Sequence, residues 1–384
     1  MSCCKAISSP DKFMSRAMEL ARQGRGPTAP NPCVGAVLVH DGCIVAEGFH
    51  TAYGKPHAER ECLAQAREKR IFESINPAQC TMYVTLEPCN HHGKTPPCSE
   101  AIIEAGVGKV VIGAMDQNPK AAGGAQRLRE AGIEVQAGVM ERECKDLIAD
   151  FLTWQQTGRT YNILKMAATL DGKIASAQKK PEAVSGPESF ARVHELRALA
   201  DAVIVGGGTF YADNPSLTCR KHGLPENFRQ PLAVVVTSRL PEPDANFTLL
   251  QDRPEQTMFW TDQATSASDR AQALKDIGVQ VVGLPGKEQG LDLAPGFELL
   301  RREHGCHYTL CEGGGHLAMA LAEQRLADEL VHFVAPRMLG DASAPAAYSG
   351  RGNVTMAETL DWRIAGVERT GADVMLTLLP LKSS

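Results

Sequence analysis

The sequence predicts a two-domain α/β protein, and three observations carry that expectation. A chain of 384 residues exceeds what one hydrophobic core usually organises. Strand-like and helix-like segments alternate along most of it. The alternation pauses at Thr157-Gly158, where glycine can supply a left-handed cap, and then restarts, which divides the chain into residues 1–157 and 158–384.

The first segment is an amphipathic helix, because Met14, Ala17, Met18 and Ala21 recur at helical spacing. Residues 34–39 and 43–46 are apolar runs joined by Asp41-Gly42, the pattern of a strand hairpin. Residues 57–70 are good helix formers, 82–86 are strand-like, 99–104 helical and 109–112 strand-like again. Cys144, Leu147, Ile148, Phe151 and Leu152 mark one face of a single helix that ends near residue 157. Beyond it come strand 161–167, helix 188–199, strands 202–205 and 232–236, and a closing hairpin around Gly371. Charge- and proline-rich loops fall at 177–182 and 241–246, and there is no internal repeat.

Composition narrows the function classes. An apolar share of 43% and a charged share of 22% are ordinary for a globular protein, and no apolar run approaches the roughly 20 residues of a membrane span. The first twelve residues lack the pattern of a secretion signal, so the expected compartment is the cytoplasm. Twelve dispersed cysteines then suggest reduced thiols or metal ligands rather than a disulfide scaffold. A net charge of -5 and 5% aromatic content speak against a nucleic-acid surface, which needs clustered cations and stacking platforms. A small anionic ligand held by a few local cations fits.

The chemistry is concentrated first in His57-Ala58-Glu59, Glu87-Pro88-Cys89 and Cys98. One imidazole and two thiolates occupy three positions of a tetrahedral Zn²⁺ and leave the fourth for water, as in a catalytic rather than a structural site. The metal lowers the water's pKa towards roughly 7. Glu59, two residues after the first ligand, is placed to take the water's proton and return it to substrate. Zinc deaminases share this division of labour, with H-x-E followed by P-C-x-x-C. Here eight residues rather than two separate the cysteines, and the helix expected after them aims its N-terminus at the Cys98 thiolate.

The His-Ala-Glu triplet together with Thr85-Leu-Glu-Pro-Cys-Asn-His-His-Gly-Lys-Thr-Pro-Pro-Cys98 resembles the signature of the bifunctional riboflavin-biosynthesis deaminase/reductases. Asn31-Pro-Cys-Val-Gly-Ala-Val37 and Asp116-Gln-Asn-Pro119 extend the likeness. It implies a cytidine-deaminase-like fold, a mixed sheet between helices, with Asn31, His50, His91, Lys94, Thr95, Asp116 and Asn118 around a pyrimidine ribotide. Lys94 and Thr95 suit a phosphate, and Asn31 suits ring donors and acceptors. As plain structure, Lys94 is a solvated loop cation, and Thr95, Asn31, Asp116 and Asn118 are turn formers.

In the second half, Gly206-Gly-Gly-Thr209 and Gly313-Gly-Gly315 are glycine-rich turns after apolar strands. The second opens into a helix over 316–324, where bare amides attract phosphate. Neither fits G-x-G-x-x-G, so a Rossmann domain is not supported. The wider stretches 164–175, 194–197, 209–220 and 312–314 resemble the reductase half of the same family, which is similar in fold to dihydrofolate reductase. The resemblance implies that Ala167, Thr209, Asp213, Ser238, Gly314, Gly315 and His316 touch NADPH, and that Arg197, Leu217, Arg220 and Glu312 touch the sugar phosphate. Lys165 and Asp171 are candidates for positioning or proton transfer, or else a buried structural pair.

Two departures stand out. Ala183-Val184-Ser185 replaces the family's Trp-Ile-Thr, and Thr237 replaces an aspartate. The first removes a flat surface for a cofactor ring, the second a carboxylate. Ser238-Arg239 offers a 2′-phosphate site instead. Four readings stay open on sequence alone. They are a fused deaminase and reductase, a deaminase whose reductase half is weakened, a nucleic-acid base deaminase with an accessory module, and a non-enzymatic protein with a structural metal. The oligomeric state is not legible, and a homo-oligomer is compatible with the sequence.

Overall fold

The computed structural model describes residues 9–91, 96–118, 122–178, 182–288 and 290–381. Contacts divide the chain into two compact units, Met1–Gln155 and Gln156–Ser384.

In the first unit, α1 (Pro10–Arg22) begins with a proline, which needs no N–H partner in a first helical turn, and buries Met14, Ala17, Met18 and Ala21 along one face. The hairpin β1 (Gly35–His40) and β2 (Cys43–Phe49) turns through Asp41 and Gly42, both at positive φ, as the tightest hairpin loops require. Next come α2 (Ala58–Glu68), α3 (Ile71–Ser74), β3 (Thr81–Leu86), α4 (Cys98–Ala105), β4 (Lys109–Ala114), α5 (Gly124–Glu130) and β5 (Glu134–Ala137). The sheet order is β2-β1-β3-β4-β5, antiparallel from β2 to β3 and parallel from β3 to β5. Strands β3 and β4 are buried almost throughout, which explains their unbroken apolar character. Leu38, Met82, Val84, Ile102, Ile112 and Leu128 form the core. Helix α2 lies directly on β2 because Gly48 has no side chain. A Cβ there would stand 2.3 Å from the Cys62 nitrogen.

The single helix expected across 144–157 is two, α6 (Glu141–Leu147) and α7 (Ala149–Thr157). Ile148 breaks them at φ -109° and ψ 21° while staying buried. Apolar spacing reports which side chains face the core, and the buried positions Cys144, Ile148 and Phe151 keep helical spacing across the break, so the pattern ran through it.

The second unit contains β6 (Tyr161–Thr169), α8 (Pro187–Leu199), β7 (Ala202–Gly206), α9 (Gly207–Asp213), β8 (Leu232–Val236) and α10 (Thr248–Asp252). These are followed by β9 (Thr257–Asp262), α11 (Gln263–Ser266), α12 (Asp269–Asp276), β10 (Gln280–Leu284) and α13 (Ala294–Glu303). The unit ends with β11 (Tyr308–Cys311), α14 (Gly315–Glu323), β12 (Glu329–Ala335), β13 (Trp362–Thr370) and β14 (Asp373–Pro380). Its sheet runs β10-β9-β8-β7-β11-β6-β12-β14-β13. All pairs up to β12 are parallel, and the closing hairpin is antiparallel. Leu164, Met166, Ile204, Val234, Trp260 and Phe297 anchor its core. The glycine-rich stretch 206–209, expected as a turn, is helical from Gly207 onward.

Among the described residues no helix is long and apolar enough to cross a membrane. Nine cysteines among the described residues are free thiols.

Candidate functional site

The metal-ligand candidates meet because three element ends converge. His57 caps the start of α2, which places Glu59 in that helix's first turn. Cys89 follows the end of β3, and Cys98 is the first residue of α4. The Cys98 amide donates to Cys89 Sγ at 3.4 Å, so the start of α4 faces sulfur. Arg60 braces the approach to α4 by donating to the carbonyls of Pro96 and Pro97.

His57 Nδ1 lies 3.6 Å from Cys89 Sγ and 3.4 Å from Cys98 Sγ, and the three ligand atoms all fall within 4.8 Å of one another. Tetrahedral zinc with ordinary Zn–S and Zn–N bonds sets its ligands about 3.5–3.8 Å apart, so these residues fit that ion. The Cys98 thiol and His57 both hydrogen-bond Cys89 and draw it down to about 4, whereas Cys98 keeps the shared proton and is raised. Ligation by both sulfurs therefore releases a proton. Glu59 is buried, and burial pushes it up to about 7 against the opposing pull of His57.

A cavity of about 360 Å³ opens beside these groups. Asn31, His50, His91, Asp116 and Asn118 line it together with His57, Glu59 and Cys89, while Lys94 and Thr95 lie outside the described residues. His50 Nδ1 donates to the Pro56 carbonyl at 2.9 Å, and its Nε2 stands 3.3 Å from Asn31 Nδ2. Burial lowers His50 and raises Asp116. Asp116 Oδ1 accepts from the Asn118 amide. Sequence reasoning missed Tyr53, Lys55, Glu87, Phe151 and Gln155, which also line the cavity. The signal for Tyr53 and Lys55 was their place between His50 and His57. Phe151 and Gln155 come from α7 and carry no motif.

In the second unit the expected cofactor residues gather at the carboxyl ends of four adjacent parallel strands, the usual ligand position in such sheets. Ala167 is on β6, Gly314 and Gly315 follow β11, Thr209 follows β7 and Ser238 follows β8. The two glycine-rich segments are neighbours, since a Cβ on Gly314 would lie 4.0 Å from Thr209 Oγ1. Gly314 caps α14 and leaves backbone amides at the start of that helix, the kind of donor set that attracts phosphate. His316 is exposed and contacts Ser349 Oγ at 3.2 Å, and Asp213 ends α9.

The candidate substrate residues form a charged cluster. Arg197 grips Glu312 with two hydrogen bonds of 2.6 and 3.0 Å and donates a third to the Thr218 carbonyl. Lys165 feels both charges, and burial lowers it. Leu217 sits at positive φ and turns the chain so that Arg220 reaches Ser216 Oγ and its amide meets His194. The proposed Lys165–Asp171 pair does not exist. Asp171 is exposed, accepts from Thr169 Oγ1 and from the amides of Leu339 and Gly340, and so ties two loops together. Lys165, in the middle of β6, instead feels the Arg197–Glu312 pair, whereas Asp171 lies in the exposed turn after that strand. At the departures, Ala183 is exposed, and Thr237 Oγ1 holds the Arg239 backbone. The Arg239 guanidinium lies 4.1 Å over the Tyr211 ring.

Residues 160–376 match the family model described as the RibD C-terminal domain, and residues 7–114 match that of the cytidine and deoxycytidylate deaminase zinc-binding region. The riboflavin biosynthesis protein RibD of Actinobacillus pleuropneumoniae is 37% identical over 369 residues, covering 95% of this chain and 93% of the relative. Its Escherichia coli counterpart is 36% identical over 377 residues, covering 96% and 98%. The chain belongs to the RibD family of riboflavin biosynthesis. Among solved structures, Acinetobacter baumannii RibD superposes with a TM-score of 0.72 at 36% identity, covering 97% of this chain and 99% of that one. A deaminase/reductase from Thermotoga maritima gives 0.74 at 34% identity, covering 97% and 98%. As a RibD protein the chain is a zinc deaminase fused to an NADPH-dependent reductase that acts on a small molecule, with a cytidine-deaminase-like fold followed by a dihydrofolate-reductase-like one.

Proposed function

We propose that the cavity of the first unit deaminates 2,5-diamino-6-(5-phosphoribosylamino)pyrimidin-4(3H)-one to the corresponding uracil, and that the cleft at the strand ends of the second unit reduces the ribosyl chain of that product. The Thermotoga relative is named for these two reactions. The observation that carries the first assignment is the convergence of His57, Cys89 and Cys98 on one ion-sized point with buried Glu59 beside it.

His57, Cys89 and Cys98 would hold zinc, which supplies the Lewis acidity that makes water a nucleophile near neutral pH. Glu59 takes one proton of the attacking water and delivers it to the ring nitrogen beside C2, then takes the second from the hydroxyl now on C2 and delivers it to the departing amine, so ammonia leaves and a carbonyl remains. With its carboxyl pushed up to about 7, Glu59 can both accept and return each proton. Asn31, His50, Asp116 and Asn118 orient the ring, and Lys94 with Thr95 and His91 serves the phosphate end.

In the second unit NADPH supplies the hydride. Ala167, Thr209, Asp213, Ser238, Gly314, Gly315 and His316 hold the cofactor, and Ser238 with Arg239, whose guanidinium stacks on Tyr211, reads the 2′-phosphate. Arg197, Arg220, Leu217 and Glu312 hold the sugar phosphate, with Lys165 beside the opened sugar carbon. The boundary of the two activities falls at residues 157–158. The substrate is free ribotide rather than nucleic acid, in keeping with a net charge of -5, and the compartment is the cytoplasm.

The test is a coupled assay. Zinc-loaded protein given the diaminopyrimidine ribotide should release ammonia and then oxidise NADPH in equal amount. Ammonia without NADPH oxidation leaves only the deaminase, and salt-sensitive tRNA binding with turnover on tRNA replaces the ribotide assignment.

A further inference from the structure

Glu87 belongs to the motif that carries Cys89, yet neither metal binding nor proton transfer uses it. Its side chain is buried, 5% exposed, and borders the cavity. One carboxylate gathers three backbone amides from two separate places. Oε2 accepts from Asp116 at 3.2 Å, just past the end of β4, and Oε1 accepts from Gly123 at 3.1 Å and Ala125 at 3.0 Å, at the start of α5. The Glu87 amide meanwhile donates to the Ala114 carbonyl, so the residue is fixed to β4 at both its ends. The neighbouring chain is packed too closely to shift. A Cβ on Gly124 would lie 1.8 Å from the Pro88 carbonyl oxygen.

The arrangement joins two things that a deaminase must keep in register. Two residues beyond Glu87 is the ligand Cys89, and directly bonded to Glu87 is the backbone of Asp116, which with Asn118 lines the cavity. A buried carboxylate that accepts from three amides cannot trade those bonds for water without leaving buried donors unpaired. We infer that Glu87 is a positioning residue of the deamination reaction, whose carboxylate clasps the Asp116–Asn118 wall to the ligand-bearing strand end and thereby sets substrate affinity. The inference rests on the deaminase assignment proposed above.

Glu87→Gln separates the two ends of the clasp. Its amide oxygen keeps the bonds from Gly123 and Ala125, while its NH₂ confronts the Asp116 N–H, donor against donor. The variant should retain zinc, hold kcat within about twofold and show KM roughly tenfold higher, the size of one charged hydrogen bond. Because part of the effect runs through the side chain of Asp116, the KM increase should be smaller in an Asp116→Ala background. A KM equal to the parent's, a loss confined to kcat, or an equal KM increase in both backgrounds overturns the inference. Hydrogen exchange on the parent protein tests it without any variant. The amides of Asp116, Gly123 and Ala125 should exchange far more slowly than that of the exposed Met115, and equal rates would refute the clasp. Failure of the parent itself to release ammonia from the ribotide would defeat the functional assignment and is a different result from any of these.

Discussion

The two halves of the chain build their sites in opposite ways. The first draws its reactive groups from short stretches at the ends of β3, α2 and α4, and they meet within 4.8 Å. The second spreads its candidates from Lys165 to His316, over four strand ends and the helix α8. The difference follows from the ligands. A metal ion demands three donors within one bond length of a point, so its ligands must sit on rigid element ends close in space. A dinucleotide is long, and the carboxyl edge of a parallel sheet offers contacts to it one strand at a time. The first kind of site should therefore fail abruptly on a single substitution, and the second should fail by degrees.

The sharpest break should come at the metal. Cys98→Ala removes one of three protein ligands, and zinc content and ammonia release should fall to background while NADPH oxidation with the deaminated intermediate persists. Loss of both activities would show that the halves are coupled. Glu59→Gln should come next, keeping its zinc by metal analysis but losing about 10²–10⁴-fold in deamination rate, the range for a general acid–base group. A variant with wild-type turnover would remove Glu59 from proton transfer.

In the second half, Arg197→Met leaves Glu312 without its partner. Both side chains are only 13% and 10% exposed, so breaking this pair should cost about 3–5 kcal/mol in thermal or denaturant unfolding of that unit, besides raising KM for the sugar phosphate. The smallest effect concerns pH. Burial alone would raise Glu312, but the charge and hydrogen bonds of Arg197, helped by Lys165, hold it below the ordinary carboxylate range. A depressed carboxylate contributes fully above its unfolded value, about 4.3, and its contribution drains away as pH falls through the folded value. Acid unfolding of the second unit should therefore steepen below about pH 4, and Glu312→Gln should flatten that slope.

The same contrast explains what could be read in advance. His57, Glu59, Cys89 and Cys98 were legible because each motif is short, and each lies where a strand or helix begins or ends. Asn31, His50, His91, Asp116 and Asn118 were reached through family likeness, and the structure gathers them in one cavity. Nothing local marks Phe151 or Gln155, which arrive from α7 only after folding. The Lys165–Asp171 pairing failed for a related reason, since six positions along a strand and its turn say nothing about which loop a carboxylate will bind. Its partners, Leu339 and Gly340, are more than 160 residues away. The break at Ile148 was hidden because burial continued across it.

The unequal acidity of the thiols also gives the protein a chemical address. Burial pushes Cys33, Cys62, Cys144, Cys306 and Cys311 up to about 12, so at neutral pH they are poor nucleophiles. Cys89, drawn down to about 4, borders the open cavity. A mild alkylating reagent should mark that sulfur ahead of those five, and bound zinc should shield it. The extent of labelling would then report how much of a preparation carries its metal, read by mass alone.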